Sequence, residues 1–409
     1  MRLTEYRERF GLTQAEVVDA IRKRARERGD RVVPGLDQPS LSKHESGDRR
    51  PSPYYQGLYC ELYGATPVEL GFRLALPGEN GHPEDVNRRE FLAGAAGFAA
   101  TLALPAPTRL GNIDVARLRQ SVVHLYKLDD LHGAGSVYSV TARTFRRLRS
   151  LVEYASYDQT TGRALRELTG LTAEHAGWLA FDGEQNDDAR RWWLEAMHWA
   201  RLADADSVSV VTMSSMAVLA SDQHRPREVV DLATTAQSAA KRAPTPRLTS
   251  ALLAREAVGH AGQGNARSAH ASLRRARNQA DQARHDDDPS WLDFYGPAIF
   301  ASHETRVAQI LGDTKAAESA ARAALALNDP VAYSRNHALY LIRLAEVLVE
   351  QREIDEAVAV ARQATVAAAT VDSARINRAI RDTAQNLAPF KDDPGVGRFL
   401  EQARETIGA

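Results

Sequence analysis

A pattern of small residues recurs about every 40 residues in the C-terminal part of the chain and limits it to a stack of helical hairpins. Each copy has a small or apolar residue followed by others four and seven positions later, on one face of a helix. The first members of the five copies are 40, 40, 48 and 40 residues apart. The copies are Ala189/Trp193/Ala196, Val229/Ala233/Ala236, Ala269/Leu273/Ala276, Ala317/Ala321/Ala324 and Ala357/Ala361/Ala364.

A second set of small residues lies twelve positions before the first member of each copy. Bulky side chains would hold two antiparallel helices apart, so small residues at both places predict a closely packed helix pair. The 48-residue step contains an insertion around His285–Pro289, which we expect in a loop. The second set is Gly177, Ala217, Ala257, Thr305 and Ala345.

The repeat resembles the tetratricopeptide (TPR) family over roughly residues 163–390. The best local match is Leu341-x-x-Leu344-Ala345-x-x-Leu348, followed by Ala357, Ala361 and Ala364. The family period is about 34 residues and its first helix usually carries Trp and Tyr, whereas this period is longer and those aromatic residues are mostly missing. The resemblance implies a TPR-like α-solenoid, a superhelix with a concave surface. A generic helical bundle with accidental spacing is the alternative.

The first 65 residues or so predict four short helices. Leu3–Phe10 reads as the first, ended by Gly11, and Thr13 with Glu16 forms a capping box for the second. Asp37 is a cap for a third helix over residues 38–45, which has Pro39 in its first turn and Gly47 after its end. A fourth helix follows Arg49–Pro53, with Tyr55, Leu58, Tyr59 and Leu62 on its apolar face. No segment alternates like a strand, so we expect an all-α protein.

This region resembles the Xre/Cro-type, lambda-repressor-like helix-turn-helix family. The matching residues are Leu12-Thr13-Gln14 and Ser40-Leu41-Ser42-Lys43-His44-Glu45-x-Gly47-x-Arg49-Arg50-Pro51-Ser52. In that family the third helix lies in the major groove and the second crosses the backbone. The resemblance therefore implies that Gln38, Ser40 and Lys43 face DNA, while Gln14, Arg49 and Arg50 contact the phosphates. It also implies that Arg7 and Glu45 form an ion pair joining the first and third helices, and that Leu41 lies in the core.

One stretch departs from the family pattern, because a basic segment replaces the short turn between the second and third helices. Residues 22–31 contain six basic and two acidic residues, a local charge of +4. We predict an additional phosphate-contacting arm that includes Arg24 and Arg26, since basic residues gain from counterion release near DNA. A solvated helix end is the alternative.

The sequence therefore predicts a helix-turn-helix domain over 1–75, a linker over 76–112 and a repeat domain over 113–409. Within the linker, residues 87–105 resemble a twin-arginine export signal, with Arg88-Arg89, Phe91-Leu92 and a Gly/Ala-rich run. Such signals are read at an N-terminus, so we expect a linker helix and a cytoplasmic protein rather than one attached to a membrane. Export or membrane tethering is the alternative.

Catalytic, cofactor and metal sites are not expected from this sequence. Cys60 is the only cysteine, and no phosphate-binding glycine loop, HExxH motif or nucleophile elbow occurs. Trp192, Trp193 and Trp199 have the spacing of core residues, and Asp286–Asp288 reads as a solvated loop. With a net charge of −1, DNA contacts must come from local clusters of basic residues. Only six of the 52 basic residues are lysines, which is typical of a GC-rich, actinobacterial genome.

Polar residues counted from the small positions mark a ligand groove on the concave face: Glu174, Ser302, Arg306, Asn336, Arg343 and Glu346. Proteins that join an Xre-type domain to a TPR-like array resemble bacterial regulators in which the array senses a peptide, small molecule or protein. We therefore expect a homodimeric transcriptional regulator that binds double-stranded DNA. The alternatives are a protein-interaction scaffold with no specific operator, and an exported binding protein.

Overall fold

The structure, a computed structural model, is entirely helical in the residues that it describes. These residues contain eighteen α-helices, three short 3₁₀ helices and no β-strand, which confirms the predicted all-α class for them. Contacts divide the chain into two compact units, Met1–Glu90 and Phe91–Ala409. The described residues are 3–27, 36–49, 51, 53–63, 70, 109–280 and 288–407. Most of the predicted linker, including residues 87–105, lies outside them.

The described residues of the first unit form four helices: α1 (Leu3–Arg9), α2 (Gln14–Glu27), α3 (Gln38–Ser46) and α4 (Pro53–Tyr63). The predicted capping box at the start of α2 is confirmed. The Thr13 amide donates to Glu16 Oε2 at 2.7 Å, and the Glu16 amide donates to Thr13 Oγ1 at 3.3 Å. These bonds satisfy two amide groups that have no partner within the helix.

Both ends of α3 are set by its sequence. The Asp37 carboxylate accepts a hydrogen bond from the Ser40 amide at 2.8 Å, and Pro39 occupies the first turn. The helix ends at Gly47, whose φ of +88° is a left-handed conformation that glycine adopts without steric cost. The predicted boundaries of α3 are thus confirmed.

The core of the first unit is formed by one face of each helix. Leu41, which was predicted to be core, is fully buried together with Leu3 of α1, Ile21 of α2 and Leu58 of α4. The buried set is completed by Val17, Val18, Ala25, Leu36, Tyr59, Tyr63 and Leu70. α3 is therefore anchored by an apolar side and presents its other side outward.

The first two helices described in the second unit are long, α5 (Asn112–His132) and α6 (Ala134–Tyr154). Six hairpins follow within the described residues, each an inner helix and its partner. They are α7 (Gln159–Asp182) with α8 (Asn186–Ala203), α9 (Asp206–Asp222) with α10 (Pro226–Ala239), α11 (Pro246–Gly262) with α12 (Ala266–Ala280), α13 (Pro297–Ile310) with α14 (Thr314–Leu327), α15 (Ser334–Glu350) with α16 (Ile354–Ala368), and α17 (Ala374–Leu387) with α18 (Pro394–Ile407). The 3₁₀ helices are Ala240–Arg242, Ser290–Leu292 and Ala388–Phe390. None of the helices described is long and apolar enough to cross a bilayer.

The predicted small residues lie where the paired helices meet. Every member of both sets is buried except Leu273, which is half-buried. Trp193 occupies the middle position in the first hairpin, and there the facing residue is Gly177. Trp199 is also buried, as predicted, while Trp192 is half-buried. Of the predicted insertion, Asp288 and Pro289 are non-helical and residues 285–287 lie outside the described residues.

The turn inside five of the hairpins has the same backbone geometry. Each contains one residue with positive φ, five positions before the first small residue of the second helix. The φ values are 61° at Glu184, 55° at His224, 74° at Gly264, 77° at Gly312 and 64° at Arg352. The turn thus repeats with the same spacing as the helices, although only two of the five residues are glycine.

The inner helices form a closed ring rather than an open stack. Successive inner helices α7, α9, α11, α13, α15 and α17 contact one another, and α17 also contacts α7. α5 contacts α7, α15 and the 3₁₀ helix Ser290–Leu292, which lie on different sides of the ring. α5 therefore bridges inner helices that are not adjacent in the ring. The resemblance implied a concave surface, but did not indicate this closure.

The ring is joined by a seam between the start of the second unit and its last hairpins. The Asp372 amide donates to the His132 carbonyl at 3.0 Å, and the Gly135 amide donates to the Asp372 carbonyl at 3.3 Å. Arg335 Nη1 lies 2.5 Å from Asp129 Oδ1, and both side chains are buried. Arg375 Nη2 lies 3.2 Å from Asp182 Oδ1. A charged side chain that is removed from water is costly unless an opposite charge compensates it. The two ion pairs therefore favour the arrangement in which the two ends of the ring meet.

Candidate nucleic-acid interface and ligand site

The outward side of α3 carries most of the residues predicted to read DNA. Gln38 and Lys43 are exposed, Ser40 is half-buried, and Leu41 on the other side is buried. Ser42, which was not predicted, is exposed beside Lys43. The described face thus offers an amide, hydroxyls and an ammonium group, which can pair with base edges or phosphate oxygens.

A polar network holds α3 against α1 and α2. Arg7 Nε donates to Glu45 Oε1 at 2.7 Å, and Arg7 Nη1 donates to the Leu12 carbonyl at 3.2 Å. The Glu45 side chain is only 6% exposed, and loss of one partner of such a buried pair is costly. Hydrogen bonding to Glu45 raises the pKa of Arg7, which keeps the guanidinium charged. The ion pair predicted from the family resemblance is present in this geometry.

Gln14 takes part in the same network. Its Nε2 donates to Glu45 Oε2 at 2.8 Å, whereas a phosphate contact was predicted for this side chain. One amide hydrogen is therefore engaged within the protein, and the Gln14 side chain positions Glu45. Its amide oxygen and second hydrogen remain available at the start of α2.

His44 is a further anchor of α3 that sequence reasoning missed. The ring is buried between Tyr55 and Tyr59, and Nδ1 lies 3.1 Å from the Tyr59 hydroxyl. Burial lowers the pKa of His44, so the ring is neutral near pH 7. Its place on the Leu41 side of a helix of period 3.6 was the available signal, since positions 41 and 44 share a face.

The basic residues near α3 fall into two groups. Arg49, Arg24 and Arg26 keep exposed surface, which suits contact with a phosphate backbone. Arg22, in contrast, donates to the Leu36 carbonyl at 2.9 Å and so fixes the return of the chain into α3. Arg50 and residues 28–35, which contain the rest of the predicted basic arm, lie outside the described residues.

A row of polar residues follows the inner helices of the second unit at one repeat position. Each member lies two residues before the small residue of its inner helix. The row is His175, Ser215, Arg255, His303 and Arg343. Of these, only Arg343 was predicted as a groove residue. The signal for the others was the repeat register itself, since the same offset from Ala257 and Thr305 gives Arg255 and His303.

Neighbouring inner helices are linked through this row. The Ser215 hydroxyl donates to Glu174 Oε1 at 2.6 Å, and Arg255 Nε donates to Ser214 Oγ at 3.0 Å. Arg343 Nη1 donates to the hydroxyl of Ser302. In each pair the donor belongs to one hairpin and the acceptor to the hairpin before it.

The structure brings together four of the six predicted groove residues. Arg343 contacts Ser302, and the charges of Arg306 and Glu346 act on Arg343. Glu174 lies apart from these, on α7, where burial raises its pKa to about 7. Asn336 is half-buried in the first turn of α15, and its side chain makes no hydrogen bond to a described residue.

Two arginines of the row are desolvated. Burial lowers the pKa of Arg255 to about 10, and the charges of Arg343 and Arg375 contribute. Burial also lowers the pKa of Arg343 to about 10, with Arg306 as the next cause. For His303, burial followed by the charges of Arg255 and Arg343 lowers the pKa well below its ordinary value. The space between them is therefore rich in positive charge at neutral pH.

Two open hollows lie away from these residues. One, of about 430 Å³, is lined by residues of α15, α16 and α18 that include His337 and Arg362, and the other, of about 420 Å³, lies on α12. Neither contains a predicted site residue. Within the described part of the chain, no group of three or more His, Cys, Asp and Glu side chains is placed to hold a metal ion.

Comparison with known proteins adds no family assignment to this geometry. No protein-family model matches the chain, and no curated protein matches it significantly.

Proposed function

We propose that the protein is a sequence-specific DNA-binding transcriptional regulator, with a helix-turn-helix unit at its N-terminus and a TPR-like array that senses an effector. The observation that supports this most is the way α3 is held. Glu45 is fixed by Arg7 and Gln14, and Leu41 is buried, while Gln38 and Lys43 remain exposed on the other side. A helix of nine residues is not stable alone, so its presentation depends on these anchors.

The exposed side chains have the chemistry of sequence recognition. A Gln amide pairs bidentately with adenine, and Lys meets guanine or a phosphate. Arg24, Arg26 and Arg49 would add contacts to the phosphates, which give affinity without sequence preference. α3 would thus supply selectivity, and the surrounding arginines most of the salt-dependent affinity.

In this proposal the array responds to a peptide, small molecule or protein, and the protein acts as a homodimer. Two half-sites on DNA require a fixed separation of the two reading helices. An effector that binds better to one arrangement of the dimer shifts the dimer towards that arrangement. The affinity of the dimer for the operator then changes by the coupling free energy between the effector site and the DNA site.

The test is selection of bound fragments from a promoter library by the full-length protein, followed by measurement of affinities at several salt concentrations. A regulator enriches particular sequences and binds them far more tightly than random duplex. Gln38→Ala and Lys43→Ala should each lower the specific affinity by about 1–3 kcal/mol. The matched controls Gln363→Ala and Lys241→Ala remove exposed side chains of the second unit and should have no effect. Retention of all sequences alike would instead support the scaffold function.

A further inference from the structure

Three basic side chains lie at one repeat position on three successive inner helices. Arg255, His303 and Arg343 belong to α11, α13 and α15, each two residues before a buried small residue. The two guanidinium groups are held by neutral partners, since Arg255 donates to Ser214 and Arg343 to Ser302. Both are therefore fixed in direction and keep their full charge.

Neither arginine has a carboxylate within the 4.0 Å of an ion pair in the described part of the chain. Three other arginines of this unit, whose side chains are at most 14% exposed, are paired: Arg335 with Asp129, Arg375 with Asp182 and Arg247 with Asp288. A desolvated cation without a counter-charge is strongly unfavourable. The contrast therefore points to a counter-charge that the chain itself does not supply.

The two arginines face a common space. The charge of Arg343, on the fifth hairpin, acts on Arg255 of the third hairpin, and so does the charge of Arg375 of the sixth. Charges act on one another appreciably only over short distances, so Arg255 and Arg343 lie near each other although a whole hairpin separates theirs in sequence. His303 belongs to α13, the inner helix between theirs in chain order, and its pKa is lowered by burial and then by the charges of Arg255 and Arg343.

One carboxylate, Glu346, shares this region. It is acted on by Arg343 and Arg306 together, and burial raises its pKa. Beside Arg255, Arg306 and Arg343 it supplies one negative charge. The region therefore has an excess of positive charge.

These side chains are partly accessible. Arg255, His303, Arg306 and Arg343 are each half-buried. They belong to inner helices of the ring, which α5 also contacts at α7 and α15. Half-buried polar groups on these helices are accessible to a small molecule.

We propose that the ring of inner helices binds a small anion, a molecule with a phosphate or carboxylate group, between Arg255 and Arg343 with His303 beside them. The planar fork of arginine matches the oxygens of both groups. Neutral His303 donates or accepts one further hydrogen bond to the same molecule. That this anion is the effector rests on the proposed function, whereas its binding does not.

The test is calorimetric titration of the full-length protein, without DNA, with inorganic phosphate, pyrophosphate and succinate, against sodium chloride at equal ionic strength. At least one of these three probes should bind, and the phosphate and dicarboxylate arms tell the two anion chemistries apart. Arg255→Gln and Arg343→Gln should each weaken binding about tenfold or more, because each removes charged hydrogen bonds. The matched control Arg267→Gln, at an exposed position of α12, should leave the affinity unchanged.

The melting temperature without probe separates a binding role from a structural one. Replacing a cation that lacks a counter-charge should leave that temperature unchanged or raise it, while the stabilisation by the probe is lost. The inference is overturned if no probe binds more tightly than chloride, if both variants bind like the parent, or if they melt earlier than the Arg267→Gln control. A chain that binds no operator can still bind the anion. Failure of the titration would therefore overturn only this inference, and failure of the DNA selection only the proposed function.

Discussion

Gly177 and Trp193 face each other across the first hairpin so closely that a Cβ at position 177 would lie 2.5 Å from Trp193 Nε1. In the third hairpin the corresponding residues are Ala257, which is larger than Gly177, and Leu273, which is smaller than Trp193. The two helices can therefore approach closely in both hairpins because the sizes of the facing residues compensate.

We predict that Gly177→Ala destabilises the second unit by about 1–3 kcal/mol, because the added methyl group forces the indole to move. In a Trp193→Leu background the same change should cost nothing or stabilise, since Ala favours helix more than Gly. Chemical denaturation of the four proteins gives the coupling. Equal costs in both backgrounds would show that the indole is not what excludes the methyl group.

The hairpin turns predict stabilising substitutions. His224 and Arg352 have φ values of 55° and 64°, where Gly264 and Gly312 serve in other hairpins. A side chain in this conformation costs about 1–2 kcal/mol. His224→Gly and Arg352→Gly should therefore each raise the free energy of unfolding by up to about 1 kcal/mol, because added chain entropy opposes part of the gain.

The reverse substitution, Gly264→Ala, should lower the free energy of unfolding by about 1 kcal/mol. Gly397 is the matched control, since it lies inside α18 and a Cβ there meets only the Lys391 carbonyl oxygen, at an ordinary 3.6 Å. Gly397→Ala should not destabilise, because Ala favours helix more than Gly. If Gly264→Ala behaved like Gly397→Ala in thermal denaturation, the shared turn geometry would be wrong.

Glu174 predicts a pH dependence. Burial raises its pKa to about 7 in the folded protein, against an ordinary value of 4.5. The folded state binds the proton more tightly, so stability falls as pH rises from 4.5 to 7, and the full loss is present above pH 7. Glu174→Gln keeps an oxygen for the Ser215 hydroxyl and should be more stable at pH 8 by a few kcal/mol, on the order of 1.4 per pKa unit.

Unfolding midpoints of Glu174→Gln and parent at pH 5 and pH 8 measure this difference. The gain should be large at pH 8 and small at pH 5. Glu401→Gln, at an exposed position of α18, should show no gain at either pH. A gain of the same size at both pH values would mean that proton binding by Glu174 is not its source.

The seam predicts a large effect from loss of one charge. Asp129→Asn leaves Arg335 buried without its nearest counter-charge and should destabilise by about 3–5 kcal/mol. Amide hydrogen exchange at Gly135 and Asp372, whose backbone bonds join the two ends, should accelerate. The double variant Asp129→Leu/Arg335→Met should recover part of the stability, because both members of this pair are removed together, while Asp130 loses Arg335 as its partner at 3.5 Å.

A surface ion pair provides the control for the seam. Arg322 lies 2.8 Å from Glu356, and both side chains are nearly half exposed. Glu356→Gln should change stability by less than about 1 kcal/mol. Similar costs for Asp129→Asn and Glu356→Gln would exclude a structural role for the seam pair.

The basic end of α2 predicts a change in salt dependence. If Arg24 and Arg26 contact phosphates, reversing both charges should reduce the slope of log affinity against log salt by up to about 2. Lys241→Glu with Lys315→Glu makes the same change in net charge on the second unit and should leave the slope almost unchanged. An unaltered slope for Arg24→Glu/Arg26→Glu would leave a solvated helix end as the explanation.

Local rules predicted the elements of this fold well. The capping box at Thr13, the cap at Asp37 and the small residues of the hairpins depend on neighbours in sequence or on one helix face, and all are present. These features follow from backbone geometry and residue size, which sequence spacing reports directly.

Features that depend on residues far apart in sequence were not predictable in the same way. The seam joins Asp129 to Arg335 across 206 residues, and no spacing rule relates them. Arg255 and His303 share a register with Arg343, yet only the structure shows that Arg335 and Arg375 are paired and Arg255 is not. Gln14 was predicted to contact a phosphate because the start of a helix favours anions, but its side chain donates to the carboxylate of Glu45.

Closure of the inner helices also limits how such a chain can evolve. An open array grows or shrinks by whole repeats, since each repeat contacts only its neighbours. Here the contact of α17 with α7 fixes the circumference. Duplication or deletion of a hairpin would separate Arg335 from Asp129. The number of hairpins and the residues of the seam can therefore change only together.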